Sequence, residues 1–374
     1  MDISALVKRW GRRMDKKLQL QSLRAIAASL VVIDHAISNE IRHGLLSPTL
    51  FPIAWYVGWM GVAYFFVTSG YIMLTTSERK FGQVASSWDF VWRRVARIVP
   101  MYWIATLVTF VLERHSHTIP DLIRSLLFIP YHHSVDGSQL LRPVVFQGWT
   151  LNMEMYFYAI FAACLALPRR CGVGLMLGAL VAAVAAGFAI RGTHYVEPTT
   201  LLAFYTDPLL LLFGTGVTMK LFEKGHHASI PWAVALTLGL LATSIDVFDT
   251  THLPFPMPIT WQTLFAVISI LTVWICVAGK NPNTASPSHL LVKAGDASYS
   301  TYLLHLLLIY RVLDHVGPLL RSPWLFVVVA VILSNLVGFS AYKLIEHPLY
   351  LRLKDLKWRR GAFSLQPADS GVVT

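Results

Sequence analysis

Ten apolar segments, separated by polar connections, constrain the fold of this chain more than any other feature. A helix of about 20 apolar residues crosses the hydrocarbon core of a bilayer, and there it satisfies all its backbone hydrogen bonds internally. The composition agrees, because 55% of the 374 residues are hydrophobic and 14% are charged. The sequence therefore predicts an all-α integral membrane protein, a bundle of about ten transmembrane helices. The segments lie near residues 21–38, 55–75, 98–113, 149–167, 173–190, 201–219, 230–247, 259–278, 297–315 and 324–344.

The basic residues orient this predicted bundle. With the N-terminus in the cytoplasm, 23 of the 31 Lys and Arg residues fall in cytoplasmic segments and 7 in outer loops, Arg24 being the remaining one. Cytoplasmic loops carry the excess of basic residues in membrane proteins, so both termini are predicted to be cytoplasmic. This placement explains the net charge of +11 better than nucleic-acid binding does. We divide the chain into a basic cytoplasmic segment (1–20), a membrane domain (21–353) and a basic cytoplasmic tail expected to be disordered (354–374).

Arg24 and His35 are ionisable residues in the first apolar segment, LRAIAASLVVIDHA. In a helix, eleven residues turn the chain by about 1,100° and raise it by about 16 Å, so both side chains share one face. Ionisable groups at membrane depth are costly and usually mark a site or a pathway. A permanent cation aligned with an imidazole suits a bound anion at one end and proton transfer at the other.

Arg94 and Arg97 form a second candidate in the run WRRVARIVPMYW. They share a helical face because they are three residues apart, and Pro100 is expected in the first turn of the third span, where proline is tolerated. Two guanidinium groups on one face can bind phosphate in a bidentate manner. The alternative is a positively charged anchor for lipid headgroups, and composition alone favours it slightly.

Glu154 lies in GWTLNMEMYFY, about one and a half turns into the fourth predicted span. His35 is a similar distance from the outer end of the first span, so the carboxylate and the imidazole are expected at similar depth. A carboxylate beside a histidine fixes its tautomer and supports it as a general base. A purely structural pair with an arginine or a histidine is an equal alternative.

Four further polar positions have weaker signals. Ser69, in FFVTSGYIM, sits where small residues allow close approach of a helix or a slender ligand. Asp34 points about 100° away from His35 on a helix and could assist from the side. His305 lies in the middle of the ninth segment, where a structural hydrogen bond to a neighbouring helix and a role in the site are equal alternatives. Glu346 lies at the inner end of the last segment, where Pro348 is expected to end the helix. The cysteines and the outer-loop histidines lack the spacing of metal ligands, so no metal site is expected.

Taken in order, these segments resemble the acyltransferase 3 family of membrane-bound acyltransferases, from about Gln19 to about Leu353. Each motif alone is weak, whereas six in the same order are specific. Two positions depart from the family pattern, with Tyr71 at a usual Phe and His347 at a common Lys. The matching positions are Arg24 and His35; Phe65, Phe66, Ser69 and Gly70; Arg94, Arg97 and Pro100; Trp149, Thr150, Leu151, Glu154, Phe157 and Tyr158; Ser298, Tyr299, Tyr302, Leu303 and His305; and Glu346 and Pro348.

Within the family, the chain looks most like bacterial exopolysaccharide O-acetyltransferases. The resemblance implies transfer of an acetyl or related acyl group from cytoplasmic acyl-coenzyme A to a sugar hydroxyl on a glycan or a lipid-linked oligosaccharide. It implies no bound cofactor, since acetyl-coenzyme A is a substrate, and a place in the bacterial inner membrane among lipids and polysaccharide synthesis machinery. In such proteins the histidine matching His35 is essential and the arginines hold the donor.

On this basis we expect Arg94, Arg97 and the deeper Arg24 to hold the donor, whose thin arm would pass Ser69. His35 would take the proton of the acceptor hydroxyl. Glu154 would orient His35 or bind the acceptor, and Tyr302 or Tyr299 would stabilise the oxyanion. Direct transfer and an acyl-enzyme intermediate both remain open. The rival functions are a transporter of a glycan or an acyl donor and a structural subunit of a synthesis complex.

Overall fold

The computed structural model describes residues 3–132, 141–191, 199–222, 268–276, 289–316, 320 and 322–354. Within these ranges the regular structure is helical and contains no β-strand. Its helices are α1 (Ile3–Arg42), α2 (Phe51–Ser77), α3 (Val84–Leu112), α4 (Ile119–Leu126), α5 (Trp149–Leu165), α6 (Arg169–Arg191), α7 (Leu201–Tyr205), α8 (Leu210–Phe222), α9 (268–276), α10 (His289–Asp296), α11 (Ser298–Leu308) and α12 (Pro323–Ala341).

Six helical stretches of the described residues are long and apolar enough to cross a membrane. They are Leu18–Arg42, Pro48–Ser77, Val84–Leu112, Arg169–Ile190, Leu201–Leu221 and Pro323–Lys354. The protein is therefore a helical integral membrane protein. The number of spans and the side of each terminus stay predictions. The apolar segment 230–247, most of segment 259–278 and the tail from 355 lie outside the described residues.

Both proline expectations are wrong. Helix α3 begins at Val84, so Pro100 lies inside the helix, and Arg94 and Arg97 are well within it. At the other end of the chain, helical structure continues past Pro348 to residue 354. A π-helical turn at Tyr342–Glu346 ends two residues before this proline. Proline lacks an amide hydrogen, and its ring clashes with a backbone carbonyl of the preceding turn. The altered hydrogen-bond pattern of a π-helical turn accommodates both effects.

The backbones of helices α2 and α8 are in contact because a glycine of each helix faces the backbone of the other helix. A Cβ atom added at Gly70 would lie 2.0 Å from the carbonyl oxygen of Phe213, and one added at Gly216 would lie 2.0 Å from that of Val67. The rings of Phe66 and Phe213 stack beside this crossing, with centroids 4.4 Å apart. The crossing holds in place the segment of α2 that contains Ser69.

Gly70→Ala is expected to destabilise the protein by at least about 1–3 kcal/mol, the usual cost of overpacking a tight contact. The added methyl group meets the backbone of α8, which cannot rotate away as a side chain could. The thermal unfolding midpoint of the detergent-solubilised protein measures the effect. The matched control is Gly178→Ala in α6, where nothing lies within 4 Å of the added atom. Equal midpoints for the two variants would contradict the contact.

Two apolar cores flank the site described below. The larger one joins α2, α3, α5 and α8 with the first half of the membrane part of α1, and it contains stacked Phe157 and Phe213. The smaller one lies between the second half of α1 and α12, where Val32 and Ala36 pack near Phe326. The polar residues of α1 that face the site thus sit on a helix fixed on both sides.

An ion-pair cluster ties α3 to the turn that follows α11. Arg311 lies 2.8 Å from Glu113, and His117 lies 3.2 Å from the same carboxylate. The hydrogen bond from His117, followed by the bond and charge of Arg311, lowers the pKa of Glu113 below its usual range. Because the pKa is lowered in the folded protein, the stabilisation is present at neutral pH and is lost as the pH falls through the lowered value.

Candidate active site

A cavity lies among helices α1, α2, α3, α5 and α11. Its empty volume, including the part continuous with solvent, is about 790 Å³. The lining residues to which the sequence analysis assigns a role are Arg24, Ser69, Arg94, Arg97, Glu154, Tyr299 and Tyr302. The structure therefore brings together seven predicted residues from five helices, separated by up to 278 positions in the chain. His35 and His305 are not among the lining residues and lie beyond Tyr302.

Three guanidinium groups, those of Arg24, Arg94 and Arg97, form what we call the arginine end of the cavity. None of the three has a carboxylate within 4 Å among the described residues. The Arg94 guanidinium lies 5.5 Å from the ring of Phe90 and 5.4 Å from that of Tyr158. Its Nε is buried and has no hydrogen-bond partner within the described ranges. Cations held in this way are available to an anionic ligand.

Glu346 is a second carboxylate, besides Glu154, that interacts with the arginine end. It is 5% exposed, and its Oε2 accepts a 2.6 Å hydrogen bond from Ser300 Oγ. It interacts electrostatically with Arg97 and Arg24, as Glu154 does with Arg24. Three cations thus face two carboxylates, which leaves an excess of positive charge when all five groups are ionised.

Glu154 is held within the cavity and does not contact His35. Its Oε1 accepts a 2.6 Å hydrogen bond from Ser69 Oγ and a second, short bond from the hydroxyl of Tyr158. Tyr158 lies one helical turn after Glu154, so the pair shares a face of α5. The structure therefore offers no bond through which Glu154 could orient the imidazole.

The two tyrosines expected to stabilise the oxyanion, Tyr299 and Tyr302, already donate their hydroxyl protons in hydrogen bonds. Tyr299 donates to the carbonyl of Ile98 at 2.8 Å. Tyr302 donates to the carbonyl of Gln147 at 3.1 Å and lies 2.7 Å from Thr150 Oγ1. Either tyrosine would have to exchange such a bond to stabilise an oxyanion, so their roles stay predictions.

The tautomer of His35 is set by its own helix. Its Nδ1 lies 2.8 Å from the carbonyl oxygen of Val31. A carbonyl only accepts, so Nδ1 carries the proton and the neutral ring has a bare Nε2. The Asp34 carboxylate lies 3.8 Å from Nδ1 and also contacts α2, where a Cβ at Gly58 would lie 2.1 Å from its Oδ2. The His35 side chain is 17% exposed, so the imidazole is neither fully buried nor free in solvent.

Ring contacts connect the cavity to His35. The ring of Tyr302, in the cavity wall, lies 5.8 Å from that of His305, and the His305 ring lies 5.0 Å from that of His35. Phe146 follows on the other side of His35 at 6.1 Å. The eleven-residue spacing thus places Arg24 in the cavity wall and His35 just beyond the cavity.

Gln147 was not predicted from the sequence, and Tyr158 was named there only as a matching motif position without a role. The buried amide of Gln147 donates to the carbonyl of Leu303 at 2.6 Å and to that of Tyr302 at 3.3 Å, which fixes the turn before α5 against α11. The four-residue spacing of Tyr158 from Glu154 is a signal that could have identified the tyrosine. No local pattern identifies Gln147, because both of its partners are more than 150 residues away.

The comparisons with known proteins agree with one another. The family model described as an acyltransferase domain matches residues 18–343. The chain is 33% identical over 306 residues to exopolysaccharide production protein ExoZ of Rhizobium meliloti (strain 1021), covering 79% of this chain and 90% of ExoZ. It is 24% identical to O-acetyltransferase OatA of Staphylococcus aureus (strain NCTC 8325 / PS 47), covering 94% of this chain but only 59% of OatA. No solved structure matches the chain.

Proposed function

Since this chain belongs to the acyltransferase 3 family of membrane proteins and is an O-acetyltransferase, we propose that it acetylates a hydroxyl of an exported polysaccharide or its lipid-linked precursor, with acetyl-coenzyme A as donor. The observation that carries the proposal is the arginine end of the cavity, linked through Tyr302 and His305 to a histidine with a bare Nε2. The cations suit the donor's phosphates, and the base suits a hydroxyl.

Coenzyme A matches the arginine end by charge. Its pyrophosphate and ribose phosphate are polyanionic, and guanidinium groups bind phosphate oxygens in bidentate geometry. Arg94 and Arg97 hold these phosphates, and Arg24 holds the donor deeper in the cavity. The acetyl-coenzyme A is a substrate, and no resident cofactor is required.

The donor's pantetheine arm runs along the cavity past Ser69 and Glu154. The arm carries amide N–H groups, and a carboxylate accepts such hydrogen bonds well. Glu154 is already held by Ser69 and Tyr158, so it is positioned before the donor arrives. We therefore assign Glu154 to the arm rather than to His35. This assignment replaces the expected role as an orienting group.

His35 acts as the general base. Its Nε2 takes the proton of the acceptor hydroxyl while the hydroxyl oxygen bonds to the thioester carbonyl carbon. The C–S bond then breaks, and the proton passes from His35 to the departing sulfur. The products are an O-acetyl ester and coenzyme A. Asp34, whose carboxylate lies 3.8 Å from the His35 Nδ1, is the supporting residue next to the base.

The membrane arrangement follows from the same proposal. Ten spans with both termini cytoplasmic would place the arginine end toward the cytoplasm, where acetyl-coenzyme A is made. The membrane domain would cover 21–353, between the basic segment 1–20 and the tail 354–374. The protein would lie in a bacterial inner membrane beside the polysaccharide synthesis machinery, with lipids around its exposed apolar faces.

The proposal predicts transfer of label from radiolabelled acetyl-coenzyme A to glycan in membranes that contain this protein and native lipid-linked glycan. The label should be released by mild alkali, as expected for an ester. Membranes lacking the protein provide the control. Glycan movement that continues without acetyl-coenzyme A, and without labelling, would favour a transporter. Labelling that does not depend on the protein would favour a structural subunit.

A further inference from the structure

His305 contains a buried hydrogen-bond acceptor that the fold leaves without a partner. Its Nδ1 lies 2.7 Å from the carbonyl oxygen of Tyr302, so Nδ1 carries the proton and Nε2 is bare. The residue is 1% exposed, and Nε2 has no hydrogen-bond partner in the described part of the chain. Unpaired buried acceptors are destabilising and rare in folded proteins. A donor that exists only during the reaction would account for this one.

The imidazole of His35 lies beside that of His305. The two rings lie 5.0 Å apart between centroids, with an interplanar angle of 67°. Both rings direct the Nδ1 proton to a backbone carbonyl, so both present an unprotonated Nε2 when neutral. Two bare acceptors cannot hydrogen-bond to each other. One added proton makes His35 Nε2 a charged donor for the other ring.

No hydroxyl or amide group among the described residues donates to His305 Nε2 in the structure. Thr301, one helical turn before His305, is buried, and its hydroxyl oxygen has no hydrogen-bond partner among these residues. The amide of Gln147 donates to the carbonyls of Tyr302 and Leu303. The acceptor therefore has no permanent donor in the described part of the chain.

We propose that His305 is a positioning residue whose Nε2 accepts a hydrogen bond from the His35 imidazolium formed during acetyl transfer. The inference rests on the proposed function, because it needs His35 to be the base. The proton leaves the acceptor hydroxyl, bonds to His35 Nε2 and is held toward His305 while the C–O bond forms. When the C–S bond breaks, the same proton passes to the sulfur, and both imidazoles return to neutral.

Two amide substitutions separate this role from a structural one. The side-chain nitrogen of His305→Asn can occupy the place of Nδ1 and keep the bond to Tyr302, but nothing replaces Nε2. The amide of His305→Gln reaches the place of Nε2 and can present its oxygen there, but the bond from Nδ1 is lost. A structural role predicts that Asn is the better replacement, whereas the proposal predicts that Gln is.

The experiment measures kcat and the KM for acetyl-coenzyme A in purified, detergent-solubilised variants with matched elution profiles. His305→Asn should lower kcat by about 10- to 100-fold, the range for a lost hydrogen bond to a charged group. Its KM should stay unchanged, since His305 does not line the donor cavity. His305→Gln should retain a higher kcat than His305→Asn.

A kcat for His305→Asn near that of the wild type, or a kcat for His305→Gln no higher than that of His305→Asn, would overturn the inference. Failure of the proposed function gives a different result. In that case the wild-type protein transfers no acetyl group, or His35→Ala transfers as well as the wild type, whatever the His305 variants do.

Discussion

His35→Ala lowers kcat for acetyl transfer by about 10²–10⁴-fold, the contribution of a positioned general base. The substitution removes the bare Nε2, and the described residues offer no equivalent base at the same place: the Nε2 of His305 is fully buried. The KM for acetyl-coenzyme A should change little, because His35 does not line the donor cavity. Initial rates at saturating donor, at matched protein levels, measure the effect.

The control for this prediction is His43→Ala. His43 lies in the turn after α1 and is 45% exposed, paired with Asp314 at 2.8 Å. The substitution removes a histidine near the same helix and leaves the cavity and the His35 ring unchanged. A rate for His35→Ala within threefold of the control rate would show that His35 is not the general base.

The double variant Arg94→Ala/Arg97→Ala raises the dissociation constant for coenzyme A by about 100-fold or more. Each charge-assisted bond to phosphate contributes about 1.5–3 kcal/mol, or roughly a factor of 10–100 in affinity. Both side chains line the cavity and have no carboxylate within hydrogen-bond reach among the described residues, so their loss removes ligand contacts without breaking an ion pair. Titration with coenzyme A measures the affinity without turnover.

Arg93→Ala is the matched control for the arginine pair. Arg93 is adjacent in the same helix but is 47% exposed and bonds to Asp89 at 2.5 Å. If the basic run only anchors the protein to lipid headgroups, all three arginines should affect membrane insertion and none should affect coenzyme A affinity. Unchanged affinity in the double variant would contradict the assignment of a donor clamp.

The sequence predicts helix-local parts of the site well. The eleven-residue spacing places Arg24 and His35 on one face because the helical period is regular. The three-residue spacing does the same for Arg94 and Arg97. These relations depend on local geometry, and both pairs lie on continuous helices in the structure.

The partners of these residues could not be read from the sequence. His35 was expected to meet Glu154, but its ring neighbour is His305, 270 positions later, and its tautomer is set by Val31. Similar predicted depth in two helices does not determine which faces meet, since that depends on how the whole bundle packs. The glycine contact between Gly70 and α8 is one such determinant.

Irregular turns were missed for a related reason. Pro348 was expected to end the last helix, but the π-helical turn at Tyr342–Glu346 allows the helix to continue. The same turn contains Glu346, whose carboxylate reaches Ser300 near the arginine end. Such turns depend on tertiary contacts, and no composition rule predicts them.

The most direct test of the central claim is the stoichiometry of the reaction catalysed by the purified protein. Radiolabelled acetyl-coenzyme A and lipid-linked glycan from the producing cells are mixed with the protein, and free coenzyme A thiol and alkali-labile label on glycan are counted together. We predict one acetyl ester for each thiol released, with both signals lost in His35→Ala. Thiol release without glycan ester, or equal esterification by His35→Ala, would contradict the claim.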